Sequence, residues 1–233
     1  MPNPQCAVLN LGLLDYGRAW ALQKTLVNLV HRGDISDVLV LVEHPHVYTL
    51  GRRGRRSDIF LNDGELTRLG VEVHQVDRGG EVTYHGPGQL VAYPILKLRG
   101  WGGPVKYVRS LEETLIRTLA DFGISGHTVE GRPGLWVGEK KIAFVGVGIS
   151  GGVTRHGIAL NVSPNLTFFD HIVPCGIPHL AVTSMAELLG RPLTVDEVGR
   201  SLARNFGQVT GLDMTDSSAI EQLVDLNSRT PAN

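Results

Sequence analysis

Cysteine is nearly absent from this chain: two in 233 residues, Cys6 and Cys175. That count excludes a secreted scaffold stapled by disulfides and suits a reducing cytosol. No apolar run approaches the roughly 20 residues that a bilayer-spanning helix needs. The opening MPNPQCAVLNLGLLDYG lacks a basic region followed by an apolar stretch, so neither membrane association nor a signal peptide is expected and the protein is placed in the cytoplasm. An excess of charge is missing too. Twenty-two basic residues against 23 acidic ones leave no global field to attract nucleic acid. No G-x-x-x-x-G-K-[ST] phosphate loop, H-E-x-x-H helix or zinc-finger spacing occurs, although nine histidines are present, among them His44 with His46 and His171 with His179. No metal and no cofactor are expected. One G-x-G-x-x-G match, GVGISG at 146–151, ends a strand-like run with no clear helix behind it, which leaves it weak.

What the chain has in quantity is glycine, 29 residues, bunched at 51–54, 79–80, 86–88, 100–103 and 146–152. Such bunching brings backbone close to a ligand or serves tight turns. Between the bunches, periodicity gives the elements. Asp15 caps a helix with Ala19, Leu22, Leu26, Leu29 and Val30 on one face, ending near Gly33. Pro104 opens a second helix with Val105, Val108, Leu111, Leu115, Leu119 and Phe122 toward the core, stopped by Gly123. Ser184 with Glu187, and Thr194 with Glu197, have capping-box spacing for two shorter helices. Segments 37–43, 71–76, 89–95, 141–149 and 157–162 read as strands, and Cys6 reads as a strand residue. Strands come in runs and do not alternate with helices. The expectation is one α+β domain over 1–212 with a mixed, largely antiparallel sheet flanked by helices, followed by a polar, frayed tail over 213–233.

Four features could carry chemistry, and each has a bland reading beside it. RGGEVTYHGPGQLVAYPI at 78–95 puts glycines next to Tyr84 and His85, as a pocket wall or simply as a hairpin with a Gly-Pro-Gly turn. IVPCGIPH puts Cys175 in an irregular stretch, as an exposed nucleophile or as a small buried apolar side chain. Lys140 and Lys141 lead into an apolar strand, where the default for either is solvation at the strand end. Arg52, Arg53, Arg55 and Arg56 concentrate charge in one loop, suited to an acidic partner or merely solvated.

Taken together, EHPHVYTLGRR (43–53), DRGGEVTYHGPGQLVAYPI (77–95), KIA followed by Gly146 (141–146), HGIALNV (156–162) and PCGI (174–177) resemble the lipoyl(octanoyl) transferases, from about Leu11 to Phe206. The resemblance implies the catalytic fold of biotin- and lipoate-protein ligases. It implies an acyltransferase that moves an octanoyl group from octanoyl-acyl carrier protein to a lysine on lipoyl domains of 2-oxoacid dehydrogenases and on the glycine cleavage H protein. It further implies that Cys175 carries the acyl group as a thioester and that Lys141 lowers the thiol's pKa. The substrate pocket is implied along Arg78, Gly79, Gly80, Glu81, Val82, Thr83, Tyr84 and His85; Phe144, Val145 and Gly146; and Gly157, Ile158 and Ala159, with His44 nearby. Position 144, usually small in that family, is Phe here, so the pocket wall is expected to be reshaped. A carrier-bound thioester is already activated, which agrees with the missing phosphate loop. The rival readings are an ATP-dependent lipoate or biotin ligase of the same fold and a non-enzymatic acyl-binding module.

Overall fold

The computed structural model describes residues 3–217 and 220. In chain order the elements are β1 (Gln5–Leu13), α1 (Tyr16–Arg32), β2 (Asp37–Glu43), β3 (Val47–Leu50), α2 (Asp63–Leu69), β4 (Glu72–Gln75), β5 (Val82–His85), β6 (Gln89–Ile95), α3 (Pro104–Ala120), β7 (His127–Val129), β8 (Arg132–Val137), β9 (Lys140–Ser150), β10 (Val153–Asn161), α4 (Met185–Leu189), α5 (Val195–Thr210) and β11 (Asp213–Asp216).

The helix boundaries follow their caps. The Asp15 carboxylate accepts the N–H of Arg18, and Gly33, at φ 84°, returns its own N–H to Leu29 and Val30 to close α1. Ser184 and Thr194 accept from the N–H groups of Glu187 and Glu197 at the starts of α4 and α5. Helix α2 is set by a reciprocal capping box between Asn62 and Glu65 that the apolar pattern alone does not flag. In α3 the expected inward face holds at Leu111, Leu115 and Leu119, but Val105 is 76% exposed, and in the first turn it is Tyr107 that enters the core.

The main sheet runs β11-β1-β2-β6-β10-β9-β8-β7, and a second sheet runs β4-β3-β5. Strands β11, β1 and β2 pair in parallel; from β2 through β6, β10, β9 and β8 to β7 every junction is antiparallel. This is the mixed, largely antiparallel α+β sheet that the pattern predicts. Both faces of the main sheet are buried, which explains the unbroken apolar run of β2. Val38, Val40, Val42, Val91, Tyr93 and Ile95 point to the side covered by α1 and the small sheet. Leu39, Leu41, Leu90, Ala92, Leu111 and Leu202 fill the side covered by α3 and α5. The polar run expected as a tail from 213 begins with β11, which pairs with Gln5–Val8. Residues 218–219 and 221–233 of that stretch lie outside the described residues.

Candidate active site

The site sits on the α1 side of the main sheet, where β9 and β10 meet the segment leading into β5. Its cavity has a volume of about 470 Å³, within the range of pockets that enclose small ligands. Of the residues expected in the pocket, Arg78, Gly79, Gly80, Glu81, Val82, Thr83, His85, Phe144, Val145, Gly146, Gly157, Ile158 and Ala159 line it, together with Lys141 and Cys175. Tyr84 does not. Its hydroxyl lies 2.9 Å from His46 Nδ1 and its ring stacks on Phe168, because alternation along β5 turns it away from the residues on either side. At Gly157 a Cβ would lie 2.2 Å from the carbonyl oxygen of Ala92, so only glycine lets β10 keep its register beside β6 there.

Lys141 enters the cavity through a β-bulge. Leu135 faces Ala143, yet the next residue, Trp136, faces Lys141, leaving Ile142 as the extra residue. Ile142 and Ala143 consequently both enter the helix-side core, while Lys141 crosses to the cavity side that Phe144 shares. Lys141 is 1% exposed, so the strand-end default fails for it. It holds for Lys140, which meets Glu187 at the surface. The Lys141 ammonium donates to the carbonyl oxygen of Pro133 at 2.8 Å and lies 3.8 Å from Cys175 Sγ.

Cys175 is half-buried on a short 3₁₀ turn, Pro174–Gly176. Its φ of 55° is the left-handed conformation that β-carbons disfavour, a strain of about 1 kcal/mol or more. Two anchors hold this turn. Val173 donates to the Asp58 carbonyl, and downstream Ala181–Thr183 runs parallel to Lys141, accepting its N–H and donating to its carbonyl. The chain is thus tied to β9 on the lysine itself, which brings thiol and amine together.

Lys141 pulls the thiol pKa down, but it is not the largest influence on it. Burial raises the Cys175 pKa, and the pull of Lys141 and Arg78 in the other direction is smaller. Burial likewise lowers the Lys141 pKa, against the raising influence of Cys175. Both directions favour a neutral thiol–amine pair in the free protein. Arg78 is a second cation in the wall. It is 7% exposed, held by Thr49 and by the Gly79 carbonyl, and forms no ion pair among the described residues.

His85 in the lining and His44 packed against it form a neutral histidine layer. His85 donates from Nδ1 to Gln89 Oε1, and burial, with His44 adding to it, lowers its pKa to about 3. His44 is set between the Leu14 carbonyl and the Tyr93 hydroxyl, each at 2.7 Å, and burial lowers its pKa to about 4. Among the described residues no cluster of three or more His, Cys, Asp or Glu side chains is placed to hold a metal, and no helix is long and apolar enough to cross a membrane. Sequence reasoning missed Tyr16, Pro133 and Ile177 in the lining. Tyr16 and Pro133 arrive from elements distant in the chain, whereas Ile177 lies two residues beyond Cys175, within the PCGI segment.

The geometry can be set beside known proteins. Residues 15–207 match the lipoyl protein ligase A/B catalytic domain. An octanoyltransferase of Acidobacterium capsulatum is 50% identical, with 88% of this chain and 89% of that protein covered. One of Solibacter usitatus is 46% identical, with 92% and 97% covered. Among solved structures, that of a bi-partite lipoate protein ligase and its E2 lipoyl domain from Thermoplasma acidophilum gives a TM-score of 0.73 at 17% identity, with 99% of this chain and 94% of that chain covered; at that identity the likeness is one of fold. The family match and the identity to curated relatives over most of their length place the chain, as an acyltransferase, in the lipoyl protein ligase A/B catalytic-domain family, among its octanoyltransferases.

Proposed function

We propose that the chain moves an octanoyl group from octanoyl-acyl carrier protein to the lysine of lipoyl domains, those of 2-oxoacid dehydrogenases and of the glycine cleavage H protein, in the cytoplasm. The route is a thioester on Cys175, and residues 1–212 act as one catalytic unit. The observation that carries the reading is Lys141 Nζ at 3.8 Å from Cys175 Sγ, both facing a cavity of about 470 Å³.

In the first step Lys141 takes the Cys175 proton, Sγ attacks the donor's carbonyl carbon, and the carrier's sulfur leaves and receives that proton. One carbon–sulfur bond forms and one breaks, so the exchange is nearly thermoneutral. In the second step a neutral lysine amine of the acceptor attacks the Cys175 thioester. The new bond is an amide, the Sγ–carbonyl bond breaks, and the amine's proton returns through Lys141 to the thiol. Burial lowers the Lys141 pKa, the direction a general base needs. Burying six or seven methylenes at about 0.8 kcal/mol each gives on the order of 5 kcal/mol toward binding the chain.

Intact-mass spectrometry after mixing with octanoyl carrier protein tests this. A single octanoyl adduct on Cys175, removed by hydroxylamine and passed to a lipoyl domain without ATP, is the expected result. A Cys175→Ser variant that transfers at the parent rate, or a label on Cys6, overturns it. A requirement for ATP would instead favour the ligase reading.

A further inference from the structure

We infer that Glu112 is a positioning residue for Lys141, acting through the single peptide unit that joins Pro133 to Gly134; this rests on the dyad assigned under Proposed function. The Gly134 N–H donates to Glu112 Oε1 at 3.2 Å, and the carbonyl of that same peptide unit, on Pro133, accepts from Lys141 Nζ at 2.8 Å. The carboxylate thus sits at one end of a peptide dipole and the amine at the other. Glu112 fixes the orientation of the carbonyl and polarises it, so the Lys141 ammonium is favoured over the neutral amine.

Four further observations support a relay of this kind over a chance contact. Glu112 is 2% exposed in the middle of α3, where a carboxylate is costly without a task or a partner. Its partner, Arg109, is paired at 2.7 Å but is itself 56% exposed, so the charge is only partly offset. Gly134 has φ 120°, and a Cβ there would lie 2.3 Å from the Ala143 carbonyl and 2.9 Å from Lys141 Cε. The relay peptide is therefore packed directly onto the lysine stem in a conformation that glycine permits. Glu112 also pulls the Lys141 pKa upward, opposite to burial. Burial of both dyad members favours the neutral pair, and a buried negative charge behind the lysine partly offsets this, raising the share of thiolate and ammonium.

The test is the pH profile of Cys175 alkylation by iodoacetamide, which reports thiolate and needs no acyl donor; Cys6, 0% exposed, does not compete. Glu112→Gln keeps an oxygen for the Gly134 N–H and removes the charge. Its alkylation rate at pH 7 is expected to fall roughly three- to tenfold, the scale of one partly offset charge acting at close range in an effective dielectric of about 20. Arg109→Ala leaves the carboxylate less neutralised, and its rate should rise. A purely structural Glu112 predicts no shift for Glu112→Gln. An unchanged profile in that variant, or a fall in Arg109→Ala, overturns the relay; if Glu112→Gln does not fold, the sign of the Arg109→Ala effect decides. Failure of octanoyl transfer in the parent protein would strike the proposed function and leave the alkylation result readable.

Discussion

Replacing Phe144 with Ala tests what the large residue at this position does. The ring is 5% exposed on the cavity wall and stacks on Phe169 with centroids 5.2 Å apart. Its centroid is also 5.2 Å from Lys141 Nζ, which in turn lies 3.8 Å from Cys175 Sγ. On the proposed route, an acyl chain attached at that sulfur would pass Phe144 with its first carbons, and the ring would limit girth near the carbonyl and leave length to residues further along β9 and β10. Phe144→Ala removes contact with one or two methylenes, about 0.8 kcal/mol each. The kcat/KM for octanoyl donors should fall about three- to tenfold, and hexanoyl and decanoyl donors should fall by the same factor. A donor methylated beside the carbonyl should gain on octanoyl by a similar amount. Lost packing and the broken stack should cost about 3 kcal/mol of stability, so a thermal melt must accompany the kinetics. The assay is competition among straight and branched donors, with products counted by intact mass. If the preferred straight chain lengthens while branched donors stay excluded, the ring stands at the tail end of the chain and the reasoning fails.

Lys141→Ala should slow acylation by at least 100-fold, and Lys141→Arg should restore charge without a usable base, recovering thioester formation more than aminolysis; equal loss of both steps in the arginine variant would refute separate roles. Of the four loop arginines, Arg53 pairs with Glu81 and Arg56 with Asp63, whereas Arg52 and Arg55 form no side-chain ion pair among the described residues. Arg52→Ser with Arg55→Ser should therefore flatten the salt dependence of apparent affinity for an acidic carrier or lipoyl domain with little change in kcat; an unaltered salt response would show the loop to be merely solvated. His44, His85 and His156 have native pKa values lowered by burial to about 4, 3 and 4. A lowered native value means the unfolded chain takes up protons first, so stability is full above about pH 6.5 and is lost as pH falls toward 4, at about 1.4 kcal/mol per pH unit for each histidine. Urea midpoints measured from pH 7.5 down to 5 should drop steeply, and a flat series would refute the neutral histidine layer.

The elements legible in the sequence were those whose signals are local. Asp15 and Gly33 bound α1, and Ser184 and Thr194 start α4 and α5, because a cap is a contact between residues three or four apart. The unbroken apolar run of β2 announced a sheet covered on both faces. Strands β3, β7, β8 and β11 were missed. Each is six residues or shorter and two lie at sheet edges, so pairing partners define them more than their own composition does. The cavity lining was legible only through family motifs, and those motifs carried Tyr84 along with its neighbours. Period-two alternation along β5 separates it from Thr83 and His85, although Val82, of the same parity as Tyr84, still reaches the lining.

Lys141 shows most sharply where local reading stops. Counting by twos back from Phe144, which faces the cavity, gives Ile142 and Lys140 the same side and sends Lys141 into the helix-side core. The bulge opposite Leu135 and Trp136 reverses that count, and no residue type in KKIAF announces it. What holds the bulge is remote: the Pro133 carbonyl on β8, and Ala181–Thr183 pairing with the lysine's own backbone. The same pairing fixes the strand position from which the Cys175 turn hangs. A bulge that re-aims the amine and a strained turn that re-aims the thiol are thus stabilised by one set of contacts. Loss of the 181–183 pairing should therefore separate the two groups together, without disturbing α1, α5 or either core.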